Sequence, residues 1–273
     1  MTPSAPVLFA AAALAGLDAQ AAAIQRGYAP VNGLRMYYEV RGAGRPLVLL
    51  HGGGSAIDTS FRALLPSLAR TRKVIAFDQQ GHGRTADLLD RPFSFEQSAD
   101  DAAALLRHLQ IDRADFLGFS NGGSIALQIA IRHPQLVRRL IVVSAMFNRA
   151  GMAPGFWQSM EHATLDSMPA ELRQAYVQVA PHPEQLGTFH DKSVKRMLDF
   201  KDWPPEVIRG IDAPTLVVAG DADVVCPEHA VEMFRLLPHG QLAILPGATH
   251  ALIVDKADLL ASIVPAFLDA PDR

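Results

Sequence analysis

A single cysteine, Cys226, is all the thiol this chain of 273 residues holds. It cannot close an internal disulfide, and zinc sites built on paired cysteines are excluded. Positive charge is scarce as well. There are 25 Lys and Arg against 28 Asp and Glu, a formal net charge of −3. No basic surface asks for nucleic acid or acidic lipid, so neither a nucleic-acid nor a membrane partner is expected. Long apolar runs are missing too. The alanine-rich run 7–17 falls far short of the roughly 20 residues that cross a bilayer, and no other stretch approaches that length without charges. Gly 20 and Pro 19 are too few for a low-complexity chain. What is there is a globular composition, 49% hydrophobic and 19% charged. A chain this long can bury a large core without staples and suits one α/β unit.

Residues 1–25 stand apart. The run 7–17 has the length of a signal h-region, and Ala19-Gln20-Ala21 resembles a small-residue cleavage site. But no Lys or Arg precedes Arg26, and Asp18 follows the run. Two expectations stand: a signal peptide over 1–23 that sends the protein to the periplasm or outside the cell, or a disordered or loosely helical tail on a cytoplasmic protein.

Residues 27–31 and 34–40 flank Asn32-Gly33. That dipeptide between apolar, aromatic-rich segments predicts an antiparallel hairpin, because both turn positions need positive φ. Six short apolar runs follow, at 47–50, 74–77, 115–119, 140–143, 215–219 and 241–245. Near-continuous runs of this kind are expected of parallel strands covered on both faces. Between them lie helical patterns. Ser94-x-x-Gln97 reads as a capping box before Ala102, Leu105, Leu106 and Leu109. Ile125, Ile129 and Ile131 mark a helix that stops before Pro134, and 228–237 and 256–268 mark the last two. Strands alternating with helices predict an α/β fold: a mostly parallel central sheet with an N-terminal antiparallel hairpin and helices on both faces.

One segment breaks the rhythm. Residues 148–208 carry no strand signal, yet they hold Trp157, Met160, Met168, Phe189, Met197 and Trp203. That is too apolar for a solvated linker. A small helical insertion on one end of the sheet is expected, with 26–147 and 209–273 forming the core.

Gly118-Phe119-Ser120-Asn121-Gly122 fits Gly-x-Ser-x-Gly and sits between an apolar strand and an apolar helix. A turn that tight needs small residues two positions either side of the serine and pushes the hydroxyl clear of the sheet. A serine hydroxyl needs a base, and the base needs an orienting acid. Gly220-Asp221-Ala222-Asp223 follows the strand at 215–219, and Gly247-Ala248-Thr249-His250 follows that at 241–245. Ser120, an aspartate and His250 therefore all fall just past C-terminal strand ends, where parallel sheets place ligand sites. Asp223 is expected to be the acid, with Asp221 capping the turn. A carboxylate one strand earlier would fall near Ser144, and none is there.

His51-Gly52-Gly53-Gly54 follows the first parallel strand, without P-loop spacing or its lysine. With Ser120 in hand, an oxyanion hole is expected from the N–H groups of Gly53 and Asn121, Gly54 being the alternative to Gly53. His108, His162, His229 and His239 are expected at the surface or at helix ends, and His133 at a helix end. None pairs with another ligand at metal spacing, so no metal and no cofactor are expected.

Together these residues resemble the α/β-hydrolase-fold serine hydrolases over residues 27–270. The marks are His51-Gly52-Gly53, Asp78 with Gly81-His82-Gly83-Arg84-Thr85, the turn at Ser120, Gly220-x-x-Asp223-x-x-x-Pro227, and Gly247-x-x-His250. Gln80 stands where many members have Arg, and Ala248-Thr249 precede the histidine. The resemblance implies that Asp78 and the 81–84 turn are structural, and that 148–208 form a cap shaping the substrate pocket. Haloalkane dehalogenases and epoxide hydrolases of this fold use an aspartate nucleophile, and position 120 is Ser. The expected substrate is a small or medium, largely uncharged carboxylic ester or lactone, cleaved through an acyl-enzyme. Carbon–carbon bond hydrolysis and cofactor-free perhydrolysis use the same triad and stay open. So does a ligand receptor of hydrolase ancestry, which single rather than multiple turnover would reveal. His182 and His190 stand either in surface loops or against the substrate.

Overall fold

The structure, a computed structural model, describes residues 24–271. The run 7–17 and the cleavage-like Ala19-Gln20-Ala21 lie outside the described residues. Eight strands form one sheet: β1 (Gln25–Val31), β2 (Leu34–Arg41), β3 (Arg45–Leu50), β4 (Arg72–Phe77), β5 (Ala114–Phe119), β6 (Val137–Val143), β7 (Thr215–Gly220) and β8 (Gly240–Leu245). Their spatial order is β1-β2-β4-β3-β5-β6-β7-β8. β1–β2 and β2–β4 pair antiparallel, and every pair from β4–β3 onward is parallel. The chain thus has the α/β architecture read from its sequence. β1 opens at Gln25, so the last residue of the expected tail belongs to the sheet. At the hairpin turn, Asn32 has φ 44° and Gly33 φ 88°, the positive pair such a turn requires.

The continuous apolar runs conceal a period of two. Val48 and Leu50 of β3 face one core with Ile75, Phe116 and Val142. Leu47 and Leu49 face the other with Leu117, Ile141 and Val218. Both faces need cover, so every position is apolar. Helices Phe95–His108, Asn121–Arg132 and Pro227–Leu236 close the first core. Ile57–Phe61, Leu65–Leu68 and Ala257–Leu268 close the second.

The expected capping box is only half made. Ser94 Oγ accepts from the Gln97 N–H at 3.0 Å. The Gln97 amide turns the other way and donates to Asp101 Oδ1 at 3.0 Å. Turned toward the buried Asp101 carboxylate, the Gln97 side chain does not offer its amide oxygen to the Ser94 N–H, the bond that would complete the box.

Between β6 and β7 the chain forms helices Phe156–Glu161, Ala170–Val179, Leu186–Leu198 and Pro205–Arg209. Among the described residues of this stretch, the lone bridge Met152–Val225 is its only β pairing. Tyr176 and Phe189 pack with Phe93 in a separate small cluster, which anchors these helices to the loop after β4. Trp203 N–H donates to the Phe147 carbonyl at 2.9 Å, fastening the far end. Among the described residues, no helix is long and apolar enough to cross a membrane.

Candidate active site

Ser120 sits on the turn between β5 and helix Asn121–Arg132 with φ 55° and ψ −123°. Such a conformation strains an L-residue and persists only where the surroundings dictate it. Here they do. The Ser120 N–H donates to the Val143 carbonyl at 2.8 Å. A Cβ on Gly118 would meet the Gly122 carbonyl at 2.1 Å, and one on Gly122 would meet the Leu50 carbonyl at 2.1 Å. Backbone crowding therefore demands glycine at both ends of the pentapeptide.

The three expected site residues converge. His250 Nε2 lies 3.0 Å from Ser120 Oγ. His250 Nδ1 lies 2.7 Å from Asp223 Oδ1. A proton on Nδ1, shared with the carboxylate, leaves the Nε2 lone pair facing the serine hydroxyl. The Phe119 ring packs on the imidazole with centroids 5.1 Å apart. Asp223 is buried, 8% exposed. Burial works against its charge, but hydrogen bonds from His250 and Ser144 and the nearby imidazole outweigh that and hold the carboxyl below its ordinary value. Asp221 is not part of this chain of bonds. Its Oδ1 accepts from the Ala248 N–H at 3.1 Å, tying the turn after β7 to the loop that carries His250. Backbone N–H groups of Gly247 and Ala248 keep its carboxyl below the usual range.

A cavity of about 350 Å³ opens over Ser120 and His250. Gly53, Gly54 and Asn121 line it, and among the described residues their N–H groups have no protein acceptor. Gly53 is the nearer to the serine turn: a Cβ there would lie 2.2 Å from Asn121 Nδ2, whereas Gly54 faces Leu172 and Met168. Met152, Phe156, Met160, Met168 and Met197 from the helical segment supply much of the apolar wall.

The glycine-rich loops are held by buried polar groups. Asp78 accepts from the N–H groups of Ile57 at 3.0 Å and Arg84 at 2.9 Å. His51 Nε2 accepts from the Gln79 N–H at 3.0 Å, and burial pulls its pKa down to about 4, so the ring stays neutral. Gln80 donates to Asp87 at 2.7 Å and to the Arg91 carbonyl at 2.9 Å, bracing the loop after β4.

Some residues lie where the sequence did not place them. His229, expected at the surface or at a helix end, lies in the first turn of helix Pro227–Leu236 but is only 3% exposed. Its ring stacks on Phe147 with centroids 4.5 Å apart, and its Nε2 accepts from the Phe147 N–H at 3.2 Å. Gly151 makes the room: a Cβ there would come within 2.3 Å of the ring. His190 lies in helix Leu186–Leu198, buried, and lines the cavity, whereas His182 is exposed beside Glu184 and does not. Ser144 and Arg196 carried no sequence signal. Ser144 Oγ lies 2.5 Å from Asp223 Oδ2. Arg196 is 4% exposed, and among the described residues its enclosed Nε and Nη2 have no acceptor. Its guanidinium lies over Phe93 and Phe95 at 5.6 and 5.4 Å, and burial draws its pKa down to about 10.

Sheet order, strained serine turn and converging strand ends define an α/β hydrolase, and comparison with known proteins agrees. The α/β-hydrolase-fold family model matches residues 45–177. The chain is 30% identical over 262 residues to 2-hydroxymuconate semialdehyde hydrolase of Pseudomonas sp. CF600, covering 88% of this chain and 92% of that one. It is 28% identical over 252 residues to 2-hydroxy-6-oxo-2,4-heptadienoate hydrolase of Pseudomonas putida F1, covering 85% and 91%. The enol-lactonase from Burkholderia xenovorans LB400 shares the fold, with a TM-score of 0.72 at 22% identity over 89% of this chain and 100% of that one. The chain belongs to the α/β-hydrolase fold family and is a hydrolase of that family.

Proposed function

We propose that this protein cleaves a small or medium, largely uncharged carboxylic ester or lactone through an acyl-enzyme on Ser120. The observation that carries this reading is the unbroken hydrogen-bond chain from Ser120 through His250 to Asp223, ending in an apolar cavity. His250 Nε2 takes the Ser120 proton as the hydroxyl oxygen attacks the substrate carbonyl. Asp223 holds the imidazole in the required tautomer and stabilises the imidazolium. The N–H groups of Gly53 and Asn121 receive the oxyanion. The carbon–oxygen bond then breaks and the alcohol leaves with the proton from His250. Water repeats the sequence on the acyl-enzyme and releases the acid. Helices within 148–208 act as a cap, and their methionine side chains give the pocket adaptable apolar walls. No metal or organic cofactor takes part in this scheme.

A second reading, hydrolysis of a carbon–carbon bond in a vinylogous diketone, is favoured by the activities named for the two Pseudomonas relatives. One panel separates them: p-nitrophenyl esters, lactones and a vinylogous diketone, each assayed beside Ser120→Ala. Multiple turnover of an ester or lactone that vanishes in the variant supports the first reading. Turnover confined to the diketone moves the protein to the second. Single turnover alone points to a receptor.

A further inference from the structure

Ser144 occupies at the end of β6 the place that Ser120 occupies at the end of β5. Like Ser120 it has a positive φ, 51°. Its N–H donates to the Val218 carbonyl of β7 at 2.8 Å, which brings the end of β6 alongside the turn that carries Asp223. The side chain is 2% exposed. An L-residue other than Asn or Asp seldom takes this conformation, and glycine is the usual solution. The sequence keeps a serine here, and the hydroxyl has a specific partner.

That partner is Asp223 Oδ2, 2.5 Å away. An ionised carboxylate only accepts, so the Ser144 hydroxyl is the donor. The other oxygen, Oδ1, serves His250 Nδ1 at 2.7 Å and the Val225 N–H at 3.2 Å. The terminal torsion of an aspartate is broad and weakly restrained. With bonds to Oδ1 alone, the carboxylate is free to rock about that oxygen and carry His250 with it. A donor on Oδ2 fixes the plane.

We propose that Ser144 is a positioning residue for catalysis: its hydroxyl fixes the Asp223 carboxylate, and through it the orientation of His250 toward Ser120. This rests on the reading of Ser120, His250 and Asp223 as the triad. The strained backbone of Ser144 is retained because it is the geometry that delivers the hydroxyl to Oδ2.

Two substitutions test the idea. Ser144→Ala keeps a Cβ in the strained conformation and removes the hydroxyl. Ser144→Gly removes the hydroxyl and relieves the strain. The glycine variant is therefore expected to melt above the alanine variant. Assayed well below both midpoints, the two are expected to share a kcat loss of about tenfold or more, the rate equivalent of one hydrogen bond to a charged group. KM is expected to change little, since the lost bond serves the base and not the substrate. Native kcat in either variant, or a kcat that follows the melting order, overturns the proposal. Ser120→Ala in the same assay keeps the two readings apart. If it is inactive while the Ser144 variants are fully active, only the positioning role falls. If it is active, the triad reading falls and the positioning role with it.

Discussion

Asp221 and Asp223 follow the same strand, yet their carboxylates serve different partners: Asp221 Oδ1 accepts from the Ala248 N–H at 3.1 Å, and Asp223 Oδ1 meets His250 Nδ1 at 2.7 Å. The first bond joins two loops. The second joins two side chains of the proposed triad.

Their substitutions are therefore expected to separate activity from stability. Asp223→Asn should lower kcat by on the order of 10⁴-fold, because the imidazole loses the partner that sets its tautomer. Asp221→Asn should lower the melting temperature and leave most of kcat in place. Matched kinetics and thermal melts on both variants check this. The opposite ranking would assign the acid to Asp221.

Acid should destabilise the fold before most carboxylates titrate. Burial holds His51 neutral, its pKa drawn from 6.5 to about 4. His82 and His229 are pushed down by burial as well. Between those values the unfolded chain binds protons that the folded chain refuses, so stability is full above about 6.5 and falls as pH drops toward 4. For His51 alone the gap amounts to about 3 kcal/mol. Melting temperatures measured from pH 7 to pH 4.5 should fall steadily. A flat profile over that window would refute the assignment.

Arg196 carries a buried charge, and among the described residues no acceptor meets its Nε or Nη2. Replacing it with an unbranched apolar side chain removes the desolvation cost while keeping the stem's packing. Arg196→Met is expected to stabilise the protein by roughly 1–3 kcal/mol, visible as a melting temperature raised by a few degrees. A lower melting temperature would show that the guanidinium is compensated by its aromatic neighbours Phe93 and Phe95.

The sheet was legible because buried parallel strands need apolar residues on both faces, as Leu47 to Leu50 show. The serine turn was legible because backbone crowding at Gly118 and Gly122 leaves no alternative residue. What escaped depends on distance in the fold rather than along the chain. Helices Ile57–Phe61 and Leu65–Leu68 are too short to show a period. The bond from Ser144 to Asp223 exists only because β6 and β7 pair with Val143 opposite Val218. Arg196 follows Lys195 in a helix, a pair that reads as a solvated face, yet the helix turns one of them inward and the other out. His229 is buried because a glycine far away in sequence, Gly151, leaves it space.

The central claim is that Ser120 forms the covalent intermediate. Incubation with a fluorophosphonate, followed by mass spectrometry of the digested protein and assay of residual turnover, tests it most directly. A single adduct on Ser120, formed in step with loss of ester or lactone turnover and absent from Ser120→Ala, is the predicted result. An adduct on any other residue, or full turnover with Ser120 modified, would contradict it.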